Sequence, residues 1–331
     1  MTTVPVPTAA GTSRTGIWRH RHLLDLDDVS RDEVLLVLET ANAMREVLSR
    51  QVPKAPTLRG RTLVTLFYEA STRTRASFEW AAKALSADVV NITAQASSVS
   101  KGESLVDTMR TLVSLGADAV VLRHPQSGAA HLAAHHSPAP VINGGDGLHA
   151  HPSQALLDLY TLRQRWGELA GRRVAIVGDI LHSRVARSNV WGLTAMGASV
   201  VLCGPPSLLP IGLVEAFAQA GQAIEVTERV EDAVKGADAV MALRLQRERQ
   251  AQGLLSSLRA YAQNYQINAA RLTLAKPGAL LLHPGPVNEG IEVSPDVAAG
   301  HQSVIQEQVR NGVAVRMALL YLMMTTGGEE A

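Results

Sequence analysis

Short runs of Val, Ile, Leu and Ala recur along this chain, and between them lie longer segments whose apolar residues repeat at helical spacing. A strand covered on both faces reads as a continuous apolar run, and a helix lying on it needs one apolar stripe. The alternation therefore predicts an α/β fold of parallel sheets flanked by helices. Strands are expected near residues 62–67, 87–92, 118–122, 140–142, 173–177, 198–202, 238–242 and 279–282. A first helix is expected over about 28–49, where Ser30 and Glu33 following "LDLDD" suit a capping box, and a last, largely buried one over about 302–325. The stretch "INGGDGLHAHPSQ" carries four turn-forming residues in a row before a Pro-initiated helix, and the hinge between domains is placed there. Roughly four strands fall on each side, so two similar-sized domains, 17–150 and 151–301, are expected to face each other across a cleft. Residues 1–16, rich in Thr, Pro, Ala and Gly, read as a flexible tail.

Composition narrows the function classes. A length of 331 residues at 46% hydrophobic content supports two cores. Net charge is +1, from 31 basic and 30 acidic residues, so no global field draws the chain to nucleic acid or an anionic membrane. Aromatics at 4% leave little for stacking on single-stranded nucleic acid. The one cysteine, Cys203, allows no internal disulfide, and no Cys/His cluster has zinc-ligand spacing. No run approaches a membrane span, and a cytoplasmic location is expected.

Any charged site must then be local, and "FYEASTRTRASFEW" supplies one. The strand "TLVTLFY" precedes it, and Phe78, Ala81, Ala82 and Leu85 give the following segment a helical face, so Ser71 to Arg75 sit where the helix begins. One hydroxyl there is accounted for by capping. Arg73 and Arg75 are not, since cations in a first turn oppose the helix dipole by some tenths of a kcal/mol each. A bound phosphate or carboxylate reverses that sign, because guanidinium forks, hydroxyls and free backbone N–H groups together make an anion receptor. The glycines and Gly-Lys-Ser/Thr ending of a P-loop are missing.

Other strand ends carry complementary groups. Arg123 and His124 close "VVLRHPQ", either as solvated surface or as part of the site. His151 stands immediately before Pro152, with Gln154 three residues on; His151 is either a simple cap or a neutral hydrogen-bond donor to a carbonyl. "VAIVGDILHSRVARSN" opens like a nucleotide-binding unit but lacks the later glycines, so NAD is not implied, and Ser183, Arg184 and Arg187 stand there instead. Arg244, Gln246, Arg247 and Arg249 follow another strand, and a charge run of that kind is ordinarily a solvated face. His283, Pro284, Gly285 and Pro286 form a rigid turn with carbonyls free to accept from an amide. Lys101, on the polar loop "ASSVSKGESL", reads by itself as surface.

Taken in order, "STRTR", "RHPQ", "HPSQ", "GDILHSR", "RLQRER" and "HPGP" resemble the aspartate/ornithine carbamoyltransferase family over about residues 20–325. The ornithine branch typically has a cysteine in a His-Cys-Leu-Pro turn where this chain has "HPGP", and it lacks the "R.Q.ER" pattern, so the aspartate branch is favoured. The resemblance implies that the C-terminal helix packs back on the N-terminal domain. It further implies transfer of the carbamoyl group of carbamoyl phosphate to L-aspartate in pyrimidine biosynthesis, with no metal or cofactor. Ser71, Thr72, Arg73 and Thr74 would take the phosphate, and Arg123, His151 and Gln154, with the main chain at Gly285 and Pro286, the carbamoyl group. Arg184, Arg244 and Gln246 would bind aspartate, and Lys101, with Ser98 on its loop, would reach into a neighbouring subunit's site, making a homotrimer the active unit. Regulatory or dihydroorotase chains are further partners such a trimer could take. The alternatives are an ornithine-type enzyme or a non-catalytic anion-binding scaffold of the same fold. Where several members carry a basic residue after the Pro-x-Pro turn, this chain continues Val287, Asn288, Glu289.

Overall fold

The computed structural model describes residues 17–93, 103–222, 224–246, 254 and 257–325. The expected tail, Ser98, Lys101, Arg247 and Arg249 lie outside them. The first lobe runs α1 (Arg31–Leu48), β1 (Thr62–Phe67), α2 (Thr72–Ala84), β2 (Asp88–Thr93), α3 (Leu105–Ser114), β3 (Ala119–His124), α4 (Ala129–His135) and β4 (Val141–Asp146). Then come α5 (Pro152–Trp166), β5 (Arg173–Val177), α6 (Arg184–Ala195), β6 (Ser199–Cys203), α7 (Ile211–Gln219), β7 (Ile224–Thr227), α8 (Val230–Val234) and β8 (Ala239–Ala242). The chain ends through α9 (Leu258–Tyr265), α10 (Ala269–Leu272), β9 (Leu280–Leu282), α11 (Pro295–Ala298) and α12 (Ile305–Thr325).

All named strand pairings are parallel, in the orders β2-β1-β3-β4 and β7-β6-β5-β8-β9. Each order reverses direction once, between β1 and β3 in the first sheet and between β5 and β8 in the second. Connections leave to opposite sides at such a point, and the gap they open beyond the strand ends is where parallel sheets hold ligands.

Two departures from the sequence expectation have physical causes. The second sheet has five strands, not four: β7 is a four-residue edge strand, half exposed, so "IEVT" never shows the apolar run of a central strand. The turn-formers Asn143, Gly144, Gly145 and Asp146 are the second half of β4, fully buried. Gly145 takes φ +116°, and a Cβ there would lie 2.8 Å from the Arg184 guanidinium carbon, so the bare backbone is what lets that arginine approach.

Two helices join the lobes. Every residue of α5 from Pro152 to Leu162 is buried, and α12 packs against α1 and α2 of the first lobe as well as against α5. One continuous apolar core holds Leu63 of β1, Leu159 of α5, Ile176 of β5 and Leu319 of α12. Among the described residues no helix is long and apolar enough to cross a membrane. Cys203, ending β6, is buried, and burial pushes its thiol up to about 12.

At the start of α1, Ser30 Oγ accepts from the Glu33 N–H, and the Ser30 N–H donates to the Glu33 carboxylate at 3.0 Å. Ser30→Ala is expected to lower the unfolding free energy by about 1 kcal/mol, read as a shifted urea midpoint with unchanged slope; an unshifted midpoint would show that the cap contributes nothing.

Candidate active site

A cavity of about 980 Å³ lies beyond the carboxyl ends of the strands at both switch points. The loop after β1 gives it Ser71, Thr72, Arg73 and Thr74; the end of β3 gives Arg123; the start of α5 gives His151 and Gln154. Arg184 at the start of α6, Arg244 and Gln246 after β8, and Gly285 and Pro286 after β9 complete the groups that the sequence singled out. Arg75, Arg187 and His124 do not line it. Arg187 donates to the Leu181 carbonyl, and the His124 ring packs against Tyr68 at 4.6 Å.

Ser71 is indeed the N-cap of α2, accepting from the Thr74 N–H, but no acidic residue stands in that first turn to answer its charge. The Arg73 guanidinium meets the cavity without a carboxylate partner among the described residues. Burial, and after it the charge of Arg244, lower its pKa even though much of the side chain is open. Gly285 lies against the Arg73 guanidinium so closely, at φ +62°, that any Cβ would collide with it. His151 occupies the N-cap of α5 without capping it by its side chain, so the simple capping role is not the one observed. Its backbone N–H donates to Ser188 Oγ at 3.0 Å, and the residue lines the cavity wall.

Four contributors were not legible as site residues. Glu69, the one acidic lining group among the described residues, accepts from Arg184 Nη2 at 2.7 Å and pairs with Arg123 at 3.3 Å, tying the first lobe to the second. Gln308 and Arg316 reach the cavity from α12, which reads in sequence only as a buried helix. Arg316 lies over the Phe78 ring at 5.1 Å, and burial pushes its pKa down to about 10 against the opposing pull of Asp158. Asp158 is fully buried on α5 beneath these groups. Arg316 was the available signal, being a charge inside the apolar run "VAVRMALLYL", where burial demands a partner.

Among the described residues the lining thus offers five arginines against one glutamate, enough cationic surface for two anionic groups. Outside it, His131, Asp146 and His149 bring potential metal-ligand atoms within 4.8 Å of one another, a group invisible in sequence spacing. The Asp146 carboxylate there already accepts from Gly128, Asn143 and Ala150 and pairs with His149, so the cluster is explained as a brace of the loop before His151.

Models of the aspartate/ornithine carbamoyltransferase carbamoyl-P binding domain and Asp/Orn binding domain match residues 21–164 and 170–323. The chain belongs to the aspartate/ornithine carbamoyltransferase family. Within it, the aspartate carbamoyltransferase catalytic subunit of Pelotomaculum thermopropionicum is 60% identical over 308 residues, covering 93% of this chain and 97% of the relative. Solved structures do not separate the branches by shape. Aspartate transcarbamoylase from Trypanosoma cruzi, in complex with N-(phosphonacetyl)-L-aspartic acid, aligns with a TM-score of 0.83 at 33% identity, covering 92% of this chain and 95% of its own. Ornithine carbamoyltransferase from Pyrococcus furiosus aligns at 0.84 and 31%, covering 94% and 99%. Side chains are more selective: Cys203 ends β6, three strands away from β9 and its "HPGP" turn.

His283 in that turn accepts from the Gly285 N–H through Nδ1 at 2.8 Å, which requires the neutral ring. Burial first, then Arg73 and Arg244, push its pKa down to about 3. The unfolded chain therefore takes up a proton that the folded chain refuses, and stability falls as pH drops from about 6.5 towards 3. Asp158, pushed up to about 6, acts in the opposite direction between about 6 and 3.8 and offsets part of this. Urea unfolding of His283→Asn between pH 6.5 and 5 should lose less stability per pH unit than wild type, by up to about 1.4 kcal/mol per unit; parallel profiles would contradict the buried neutral histidine.

Proposed function

We infer that this chain transfers the carbamoyl group of carbamoyl phosphate to the amino group of L-aspartate, giving N-carbamoyl-L-aspartate and phosphate, a step of pyrimidine biosynthesis. The observation that carries the reading is the division of cationic groups across one cleft. Arg73 with the Ser71–Thr74 loop lies on the first lobe, and Arg184, Arg244 and Gln246 on the second. A phosphate taken by the first set faces a dicarboxylate taken by the second, and an aspartate amine held between them is within reach of the carbamoyl carbon. Ornithine, with a cationic side chain, would meet Arg244 and Arg184 unfavourably. On this reading residues 17–150 with helix 302–325 hold carbamoyl phosphate, and 151–301 hold aspartate.

The chemistry is acyl transfer without a covalent intermediate. The neutral amine attacks the carbonyl carbon, charge gathers on the carbonyl oxygen, and phosphate leaves. Thr74, Arg123 and His151 donate to that oxygen, while Arg73 and the free N–H groups of α2 stabilise the departing phosphate. Gln154 and the main chain at Gly285 and Pro286 accept from the carbamoyl NH2. Among the described residues the cavity lining offers no carboxylate base other than Glu69, which is engaged by two arginines, so phosphate itself takes the amine proton. Positioning of two anions between the lobes then supplies most of the acceleration.

A homotrimer with shared sites follows from the same reading, with Lys101 and Ser98 supplied by a neighbour. Two exposed apolar features of the first lobe suit a subunit contact: Trp80, 66% exposed at the cavity mouth, and Val90 on the open edge strand β2, which precedes Lys101 in the chain. A cytoplasmic location accords with a single buried cysteine that has no partner for an internal disulfide.

Phosphate release from carbamoyl phosphate with L-aspartate, and with L-ornithine as the control acceptor, tests the reaction directly. Arg73→Ala should lower kcat/KM by about 100-fold or more with the fold intact, and Arg244→Ala should act chiefly on KM for aspartate; normal values in either variant would remove that arginine from the site. Mixing inactive Lys101→Ala and Arg73→Ala chains should restore measurable turnover, because some sites then draw both intact residues from different subunits. No recovery in verified mixed trimers would refute the shared site.

A further inference from the structure

Asp158 is the one buried carboxylate against which the amide side chains behind the cavity are arranged. It lies one turn beyond Gln154 on α5, is wholly buried, and takes three amide donors. Gln154 Nε2 reaches Oδ1 at 2.9 Å, Gln308 Nε2 reaches the same oxygen at 2.7 Å, and Asn189 Nδ2 reaches Oδ2 at 2.9 Å. Arg316 adds a favourable charge from α12.

A carboxylate can only accept, so each amide must turn its NH2 end towards Asp158 and its oxygen elsewhere. This fixes orientations that the shape of an amide leaves open, since its two ends are nearly equal in size. For Gln154, which lines the cavity, the end left for a ligand is the acceptor Oε1. For Gln308, Oε1 accepts from the His283 N–H at 3.0 Å, and His283 Nδ1 in turn accepts from the Gly285 N–H at 2.8 Å. The same carboxylate therefore sets both the Gln154 carbonyl and, through two further hydrogen bonds, the turn at Gly285 and Pro286.

Resting on the reaction inferred above, we propose that Asp158 is a positioning residue for substrate selection: it holds acceptor oxygens towards the carbamoyl NH2 and so selects a carbamoyl phosphate over an acyl phosphate with a methyl group in that place. Acetyl phosphate has nearly the same shape and the same phosphate but offers no donor, and it leaves those acceptors buried and unpaired. Discrimination of this kind is strong because the site loses hydrogen bonds it was built to make. Without Asp158, Gln154 is free to present NH2 in place of oxygen, and the preference for the carbamoyl group weakens.

The test measures three constants on the full-length enzyme: kcat/KM for carbamoyl phosphate, and Ki for acetyl phosphate and for inorganic phosphate as competitors. In Asp158→Ala the first should fall by about tenfold or more, mainly through KM, the scale of one misplaced hydrogen bond. The Ki for inorganic phosphate should stay within about twofold, since it does not reach the acceptors, and that for acetyl phosphate should stay level or fall, since the amides are no longer held with unpaired oxygens against its methyl group. Should Asp158→Ala fail to fold, Asp158→Ser leaves space for a bridging water that satisfies the amides without dictating their orientation, and the same pattern is expected. A fall in kcat/KM matched by equal rises in both Ki values would mean that Asp158 only supports packing, and unchanged selectivity in a folded variant would equally overturn the proposal. If wild-type enzyme releases no phosphate from carbamoyl phosphate and aspartate, the reaction reading itself fails and this one with it; a working wild type with unaltered selectivity in the variants overturns this inference alone.

Discussion

The charge of Arg73 disfavours the protonated forms of Arg316 and His283, and the charge of Arg244 those of Arg73 and His283. Arg73, His283 and Arg316 also lose hydration on burial. A cavity wall of this kind is costly in its resting form, and much of the surrounding architecture can be understood as holding it together. The cations arrive on separate strand ends and helix starts, so the repulsion is carried by rigid elements, and α5 and α12 join the two lobes behind them. Glu69 between Arg123 and Arg184 offsets part of the charge across the cleft, and Asp158 offsets part beneath it. The remainder is what a doubly anionic ligand pair relieves on binding, so resting-state repulsion becomes substrate affinity.

The order of elements was legible because strands covered on both faces announce themselves as apolar runs. The exceptions obey the same logic. β7 is an edge strand with exposed side chains and reads as a loop, and the glycines of β4 are buried backbone that no hydrophobic count can see. The cationic strand ends were legible for an electrostatic reason, since Arg73 in the first turn of a helix is unfavourable without an anion. Glu69, Asp158, Gln308 and Arg316 were not, because their roles exist only after folding. Gln308 and Asp158 meet at 2.7 Å across 150 residues of chain, and within "ALLDLY" the aspartate looks like any polar position on a helix.

Family membership and shape leave the amino acceptor open, because both branches share the fold. The choice lies in a few side chains: a turn "HPGP" with no sulfur, and arginines in place of groups that would welcome a second amine. Selection on the other substrate is set at greater depth, by the direction in which buried amides point. On the proposed assignments, aspartate selection lies at the surface of the cleft and carbamoyl selection behind its wall, so the two can drift independently.

The single cysteine has a practical consequence. Cys203 is enclosed at the end of β6 and its thiol is pushed up to about 12, so it has almost no thiolate at neutral pH and no path to a reagent. The folded chain is therefore chemically silent towards maleimides and iodoacetamides. A cysteine introduced on either lobe would be the sole labelling handle, and a pair of them would report the separation of the lobes without first removing the native sulfur.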